Sequence, residues 1–200
     1  MVATYGNINV VPDPKVPFGA YFIRGNKRDQ RRHVADQATS WLRLQKARGA
    51  SGAVMIDIDD TIVDGHESVQ HGFEFMRELV REVGLAFPIH VVTARPNDQH
   101  SYVMGMLQER QLGVPPDRLH MLPRELYGAD TVHVEKFKWA TCLKICRLHH
   151  GIVARFGDKL WDVATFDSLR TYLGHVGDKH CYIFLDPQQK GCFSGKLPGA

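Results

Sequence analysis

No stretch of this chain approaches the roughly eighteen consecutive apolar residues of a membrane-spanning helix, which argues against a helical membrane protein. The opening residues, Met1-Val2-Ala3-Thr4-Tyr5-Gly6-Asn7, lack the basic start and apolar stretch of a secretory signal, so the expected location is the cytoplasm. Cysteine is scarce: four in 200 residues, at 142, 146, 181 and 192. No pair has zinc-finger spacing, so reduced thiols packing as small hydrophobes are expected. Nor do the eleven histidines show the Asp/His spacing of a zinc site. Internal repeats and low-complexity segments are absent, which excludes solenoids and arrays. A large charge excess is missing too; at +3, the whole-chain field says little about partners. Only Arg24–His33 is locally basic, and without interleaved aromatics to stack bases it is expected to be a solvated face.

What remains is an ordinary globular composition, 44% hydrophobic and 24% charged, in a length that suits one domain. Pro12, Pro14, Pro17, Gly19 and Gly25 punctuate residues 1–30 and predict an extended or looped N-terminal arm, followed by one α/β domain over 31–200. A helical pattern runs from about Arg32 to Ala47, with Val34, Ala38, Trp41, Leu42 and Leu44 on one face. Beyond it, short apolar runs at 53–58, 89–93, 118–122, 152–156 and 181–185 alternate with helical stretches near 67–83, 98–111, 133–149 and 162–173. In the first of these helices Phe73, Met76, Val80 and Val83 recur three and four apart. Continuous apolar strands alternating with helices predict a parallel sheet of about five strands covered on both faces. Ligands of such sheets bind outside the carboxyl ends of the strands.

Those ends carry chemistry. The first strand runs into Asp57-Ile58-Asp59-Asp60-Thr61, the second into Thr93-Ala94-Arg95, and the fourth into Gly157-Asp158-Lys159-Leu160-Trp161-Asp162. If the first strand persists, alternation puts Asp57 and Asp59 on one side, where Asp158 from a neighbouring strand completes an oxygen-rich site. Gathered carboxylates repel one another, a divalent cation relieves that repulsion, and an all-oxygen set suits magnesium better than zinc. Magnesium held by a few carboxylates keeps positions open for water and phosphate. Asp-x-Asp-x-Thr alone arises by chance in about one such chain in forty, so its weight comes from Thr93, Asp158 and Asp162 following in order.

On these motifs the chain resembles the haloacid dehalogenase superfamily of aspartate-nucleophile phosphatases. Its Asp-x-Asp-Asp-Thr and Gly-Asp-x-x-x-Asp forms are similar to the bacterial class B and plant acid phosphatase-like branch, as is Lys196-Leu197-Pro198. The resemblance spans residues 54–162 and implies a Rossmann-like fold with magnesium as cofactor. It implies that Asp57 attacks phosphorus and that Asp59 serves as acid and then base. Asp57, Asp59 (through its backbone carbonyl) and Asp158 would hold the metal, with Asp162 in support. Thr93 would bind a phosphoryl oxygen and Thr61 would shape the loop behind the nucleophile. The superfamily also needs a lysine against the phosphate charge. Lys138 resembles the plant pattern and Lys136 the bacterial one; two apart on a helix, only one should reach the site. Asp60 stands where many members have glycine and is expected to support the loop.

Several residues stay open on the sequence alone. Arg95 suits substrate contact and a structural ion pair equally. His90 is expected to be a satisfied interior histidine, His149-His150 a helix end favoured by the dipole when charged, and Trp139 and Trp161 core anchors. Only 36 positions separate Asp57 from Thr93, and 45 separate Thr93 from Lys138, so little or no cap domain is expected. The site should be open unless the arm or a second subunit covers it. A small phosphomonoester, such as a nucleotide or sugar phosphate, is the expected substrate. Nucleic-acid ends gripped by Arg24–Arg32, and a non-catalytic phosphate-binding protein of the same fold, are the alternatives.

Overall fold

The computed structural model describes residues 3–5, 8–12, 20–63, 72–128, 130–163, 181–186 and 192–198. The strands are β1 (Ala3–Tyr5), β2 (Ile8–Pro12), β3 (Ala20–Arg24), β4 (Ala53–Ile56), β5 (Ile89–Pro96), β6 (Leu119–Leu122), β7 (Ile152–Gly157), β8 (Cys181–Asp186) and β9 (Cys192–Lys196). The helices are α1 (Lys27–Ala47), α2 (Phe73–Gly84), α3 (His100–Glu109), α4 (Thr131–His149) and the single turn α5 (Leu160–Val163). All strands join one sheet in the order β1-β2-β3-β8-β9-β7-β4-β5-β6.

The half formed by β9, β7, β4, β5 and β6 is parallel throughout, a five-stranded, Rossmann-like α/β arrangement. Its fifth strand is β9. The predicted strand at 181–185 exists as β8, but it runs antiparallel to β9 and to β3. Of the residues read as an N-terminal arm, the described ones form β1–β3, which continue the sheet by antiparallel pairing, and the start of α1. The predicted helix at 162–173 is represented only by α5, its remainder lying outside the described residues, as does the start of the predicted 67–83 helix.

Helices cover both faces. On one side α1, α2 and α3 pack Val34, Ala38, Leu42, Met76, Val80, Val83, Val103 and Leu107 against Val54, Ile56, Val91 and Phe156. On the other, α4 lays Cys142 and Ile145 on Ala53, Met55, Val92 and Cys192. Helix α1 starts five residues earlier than its periodicity indicates, because Asn26 caps it by accepting from the Asp29 amide at 2.8 Å. Leu44 leaves the buried face and is 43% exposed: ten residues after Val34, it lies about 80° of arc away. Trp139 is also exposed rather than a core anchor, while Trp41 donates its indole N–H to the Val153 carbonyl.

Among the described residues no separate cap interrupts the fold; α2 alone lies between β4 and β5. None of the described helices is long and apolar enough to cross a membrane.

Candidate active site

Strand β4 ends at Ile56, which pairs with Phe156 of β7 and Val91 of β5. Asp57 follows at once, its amide still bonded to the Phe156 carbonyl at 3.0 Å. Its neighbour β7 ends at Gly157, so Asp158 emerges at the same edge, and α5 returns Asp162 beneath it. Gly157 permits that return: a Cβ there would lie 2.1 Å from the Asp162 Cβ. The carboxylates of Asp57, Asp158 and Asp162, all buried, each offer an oxygen within 4.8 Å of the others.

Two ammonium groups face them. Lys138 of α4 is 1% exposed; its Nζ lies 2.9 Å from Asp57 Oδ1 and contacts Asp162 Oδ1 more closely still. Lys159 Nζ sits 3.0 Å from Asp158 Oδ2. The two ammonium groups offset part of the charge that the three carboxylates bring together. Burial raises the Asp57 pKa well above the ordinary carboxylate range; Lys138 pulls it down and Asp162 pushes it further up. Burial likewise raises Asp162, against the pull of Lys138. For Lys138 burial works downward, but Asp162 and Asp57 outweigh it and the net shift is up. Asp57 Oδ1 and Asp158 Oδ2 are buried, and the lysine ammonium groups are their partners. Three carboxylates converging at one buried point form an oxygen-only donor set, which fits a hard divalent cation.

The lysine ambiguity resolves on geometry. Asp130 caps α4 by accepting from the Val132 amide, and that phase turns Lys138 inward and Lys136 to solvent.

Asp59 departs from the alternation argument. The strand has ended, Asp60 adopts a left-handed φ of 54°, and the amides of Thr61, Ile62 and Val63 converge on the Ile58 carbonyl. This tight turn takes the half-exposed Asp59 carboxylate away from the buried cluster and towards Arg95. Arg95 Nε lies 3.2 and 3.1 Å from the two Asp59 oxygens, and Nη2 lies 2.6 Å from Oδ1. The register of β5 explains the reach: Thr93 pairs with Met121 and Pro96 with Leu122, so Ala94 and Arg95 bulge out of the ladder. Thr93 itself is fully buried, and its hydroxyl accepts from the Arg95 amide at 3.2 Å. Thr61 is fully buried as well, with a hydroxyl oxygen that has no hydrogen-bond partner.

Asp60 supports the loop through its backbone. Its conformation is the one glycine adopts most cheaply, and aspartate tolerates it better than most residues. Its carbonyl accepts from Arg31 Nη2 at 2.9 Å, and the same nitrogen reaches the Pro198 carbonyl at 2.8 Å. Arg31 is 1% exposed and stacks over Phe73 at 4.1 Å, so the basic run is not simply a solvated face. Arg31 carried no signal as a site-shaping residue, because its partners are distant backbone carbonyls. Lys196, fully buried and paired in register with Gly157, brings a further cation to the same edge.

His90 is buried as expected and bonded at both ring nitrogens, 2.9 Å from His120 Nε2 and 2.8 Å from His149 Nε2. His149 does end α4, but its pKa is lowered, by burial first and then by Arg118 and His150, which opposes the charged form the dipole would favour.

Comparison with known proteins adds no relative: no family model matches the chain, and no curated protein matches it.

Proposed function

We propose that the chain is a magnesium-dependent phosphomonoesterase of the haloacid dehalogenase type, acting through an aspartyl-phosphate on Asp57. One observation carries this reading: at the C-terminal edge of a parallel sheet, Asp57 is held beside a buried lysine and two further buried carboxylates. Asp57, Asp158 and Asp162 would hold the cation, which supplies positive charge against the phosphoryl oxygens.

Asp57 attacks phosphorus as the bond to the ester oxygen breaks. Asp59, at the mouth of the site, gives that oxygen a proton and later takes one from the water that releases inorganic phosphate. Lys138 offsets charge on Asp57 and the entering phosphate. Thr93 and Thr61 hydroxyls bind phosphoryl oxygens. Arg95 holds Asp59 in place and lines the entrance used by a small phosphorylated metabolite or nucleotide.

The alternative substrate, a nucleic-acid end, loses support because the basic run is engaged elsewhere. Arg31 is buried, Arg28 pairs with Glu74 at 2.9 Å, and Arg28 and Arg32 both lie over Phe75. The test is turnover on a panel of phosphomonoesters with magnesium or with EDTA, for wild type and Asp57→Asn. Magnesium-dependent turnover lost in Asp57→Asn is expected. No turnover on any substrate would leave a phosphate-binding protein, and equal activity in the variant would remove Asp57 as nucleophile.

A further inference from the structure

On the face of the sheet covered by α4, away from the carboxylates, three thiols share the packing layer with a buried guanidinium, two of whose nitrogens have no acceptor. Cys142 and Cys146 stand one turn apart on α4, and Cys192 opens β9 beneath them. Cys142 and Cys192 are each 1% exposed, whereas Cys146 is only partly covered. Arg155 of β7 lies on the same side, 4% exposed, and neither its Nε nor its Nη1 has a hydrogen-bond partner.

A guanidinium does not shed its proton, and burying one without an anion costs several kcal/mol. No carboxylate among the described residues pairs with Arg155; the anion its surroundings offer is a thiolate. Cys146 is the thiol placed to supply it: it stands one turn from Cys142 on α4 and, being only partly covered, has a path to solvent. We propose that Cys146 is a thiol-modification site, a nucleophilic thiolate that exchanges with small disulfides, with Arg155 as its counter-charge and Cys142 as its hydrogen-bond donor. This assignment is independent of the phosphatase reading, and it departs from the expectation of four inert thiols.

The two α4 cysteines are pushed in opposite directions. The Cys142 bond holds the Cys146 pKa down at about 6 against burial, with Arg155 assisting. That same bond, together with burial, pushes Cys142 up, so Cys142 stays a thiol. An internal Cys142–Cys146 disulfide is not the product. Residues four apart on a helix hold their Cβ atoms about 5–6 Å apart, whereas a disulfide needs roughly 3.5–4.5 Å. The chemistry that fits is attack of the Cys146 sulfur on one sulfur of R–S–S–R. The S–S bond breaks as the Cys146–S bond forms, and its electron pair leaves with the thiolate R–S⁻. No further oxidant is required.

The probe is dithionitrobenzoate, mixed with the native protein across about pH 5–9 while thionitrobenzoate release is followed. One fast equivalent per chain is expected, ~10-fold or more ahead of the other thiols. Its midpoint should lie near pH 6, and the fast phase should be absent from Cys146→Ser. Arg155→Met and Cys142→Ala should each move the midpoint upward. Peptide mapping of the first adduct in the wild type gives the modified cysteine without relying on any variant. A first adduct on Cys181, Cys142 or Cys192, or a midpoint at the ordinary thiol value of about 8.5, overturns the assignment of Cys146. An unchanged midpoint in Arg155→Met overturns the role given to Arg155.

Discussion

Lys138 Nζ lies 2.9 Å from Asp57 Oδ1, and the two side chains are only 2% and 7% exposed. Neither charge can turn to water, so removing one partner strands the other. Lys138→Ala should therefore cost about 3–5 kcal/mol, while Lys136→Ala, two residues away and exposed, should change stability by less than about 0.5 kcal/mol. Urea unfolding of both variants checks this. In a phosphatase assay only Lys138→Ala should lose activity by orders of magnitude.

Gly157→Ala places a methyl 2.1 Å from the Asp162 Cβ. The conflict is with the root of the side chain, which no rotamer change relieves. Asp162 must move out of the cluster. A folded but destabilised protein, by about 1–3 kcal/mol, with magnesium binding weakened at least tenfold by calorimetry, is the expected result.

Arg31→Met leaves the Asp60 and Pro198 carbonyls without the donor they now share. Each unfilled buried acceptor costs about 1–3 kcal/mol. Arg31→Lys should not restore the loss, since an ammonium lacks the planar fork that bonds carbonyls while lying flat on Phe73. Amide exchange over residues 58–63 should accelerate in both variants.

The His90 ring should make stability fall in acid. Burial, and then the His120 and His149 rings, lower its pKa to about 4, against about 6.5 in the unfolded chain. The depressed value means that folded His90 stays neutral while the unfolded chain takes up a proton. Its contribution is therefore complete above pH 6.5 and is lost as pH falls towards 4. The loss reaches about 3 kcal/mol at most. Urea midpoints at pH 7 and pH 5 should differ in wild type, and the difference should narrow in His90→Gln.

Arg95→Ala frees the Asp59 carboxylate from its fork. A proton donor matters most when the leaving oxygen is basic, so kcat on alkyl phosphates should drop by ~10- to 100-fold. On p-nitrophenyl phosphate the drop should be several-fold smaller. Equal losses on both substrates would instead make Arg95 a phosphate contact.

The parallel strands were legible because β4, β5 and β7 are continuous apolar runs, and with them the edge to which Asp57, Thr93 and Asp158 belong. β9 was not. Its sequence Cys-Phe-Ser-Gly-Lys is poor in apolar side chains, and at Gly195 the reason is α1, since a Cβ there would lie 2.7 Å from Val34 Cγ1. Asp59 was misplaced because alternation assumes a strand, and the chain had already turned at Asp60. The choice between Lys136 and Lys138 needed the phase of α4, which depends on where Asp130 caps it. Arg31 could not be found by pattern, since its partners lie 29 and 167 positions away.

β9, the last described strand, stands between β8 and β7, joining the antiparallel half of the sheet to the parallel half. During synthesis the two halves cannot meet until residues 192–196 have left the ribosome. The turn behind Asp57 waits equally long for the Pro198 carbonyl that Arg31 grips. Assembly of this site thus waits for β9, and a nascent chain stalled before β9 would present unpaired strand edges to chaperones.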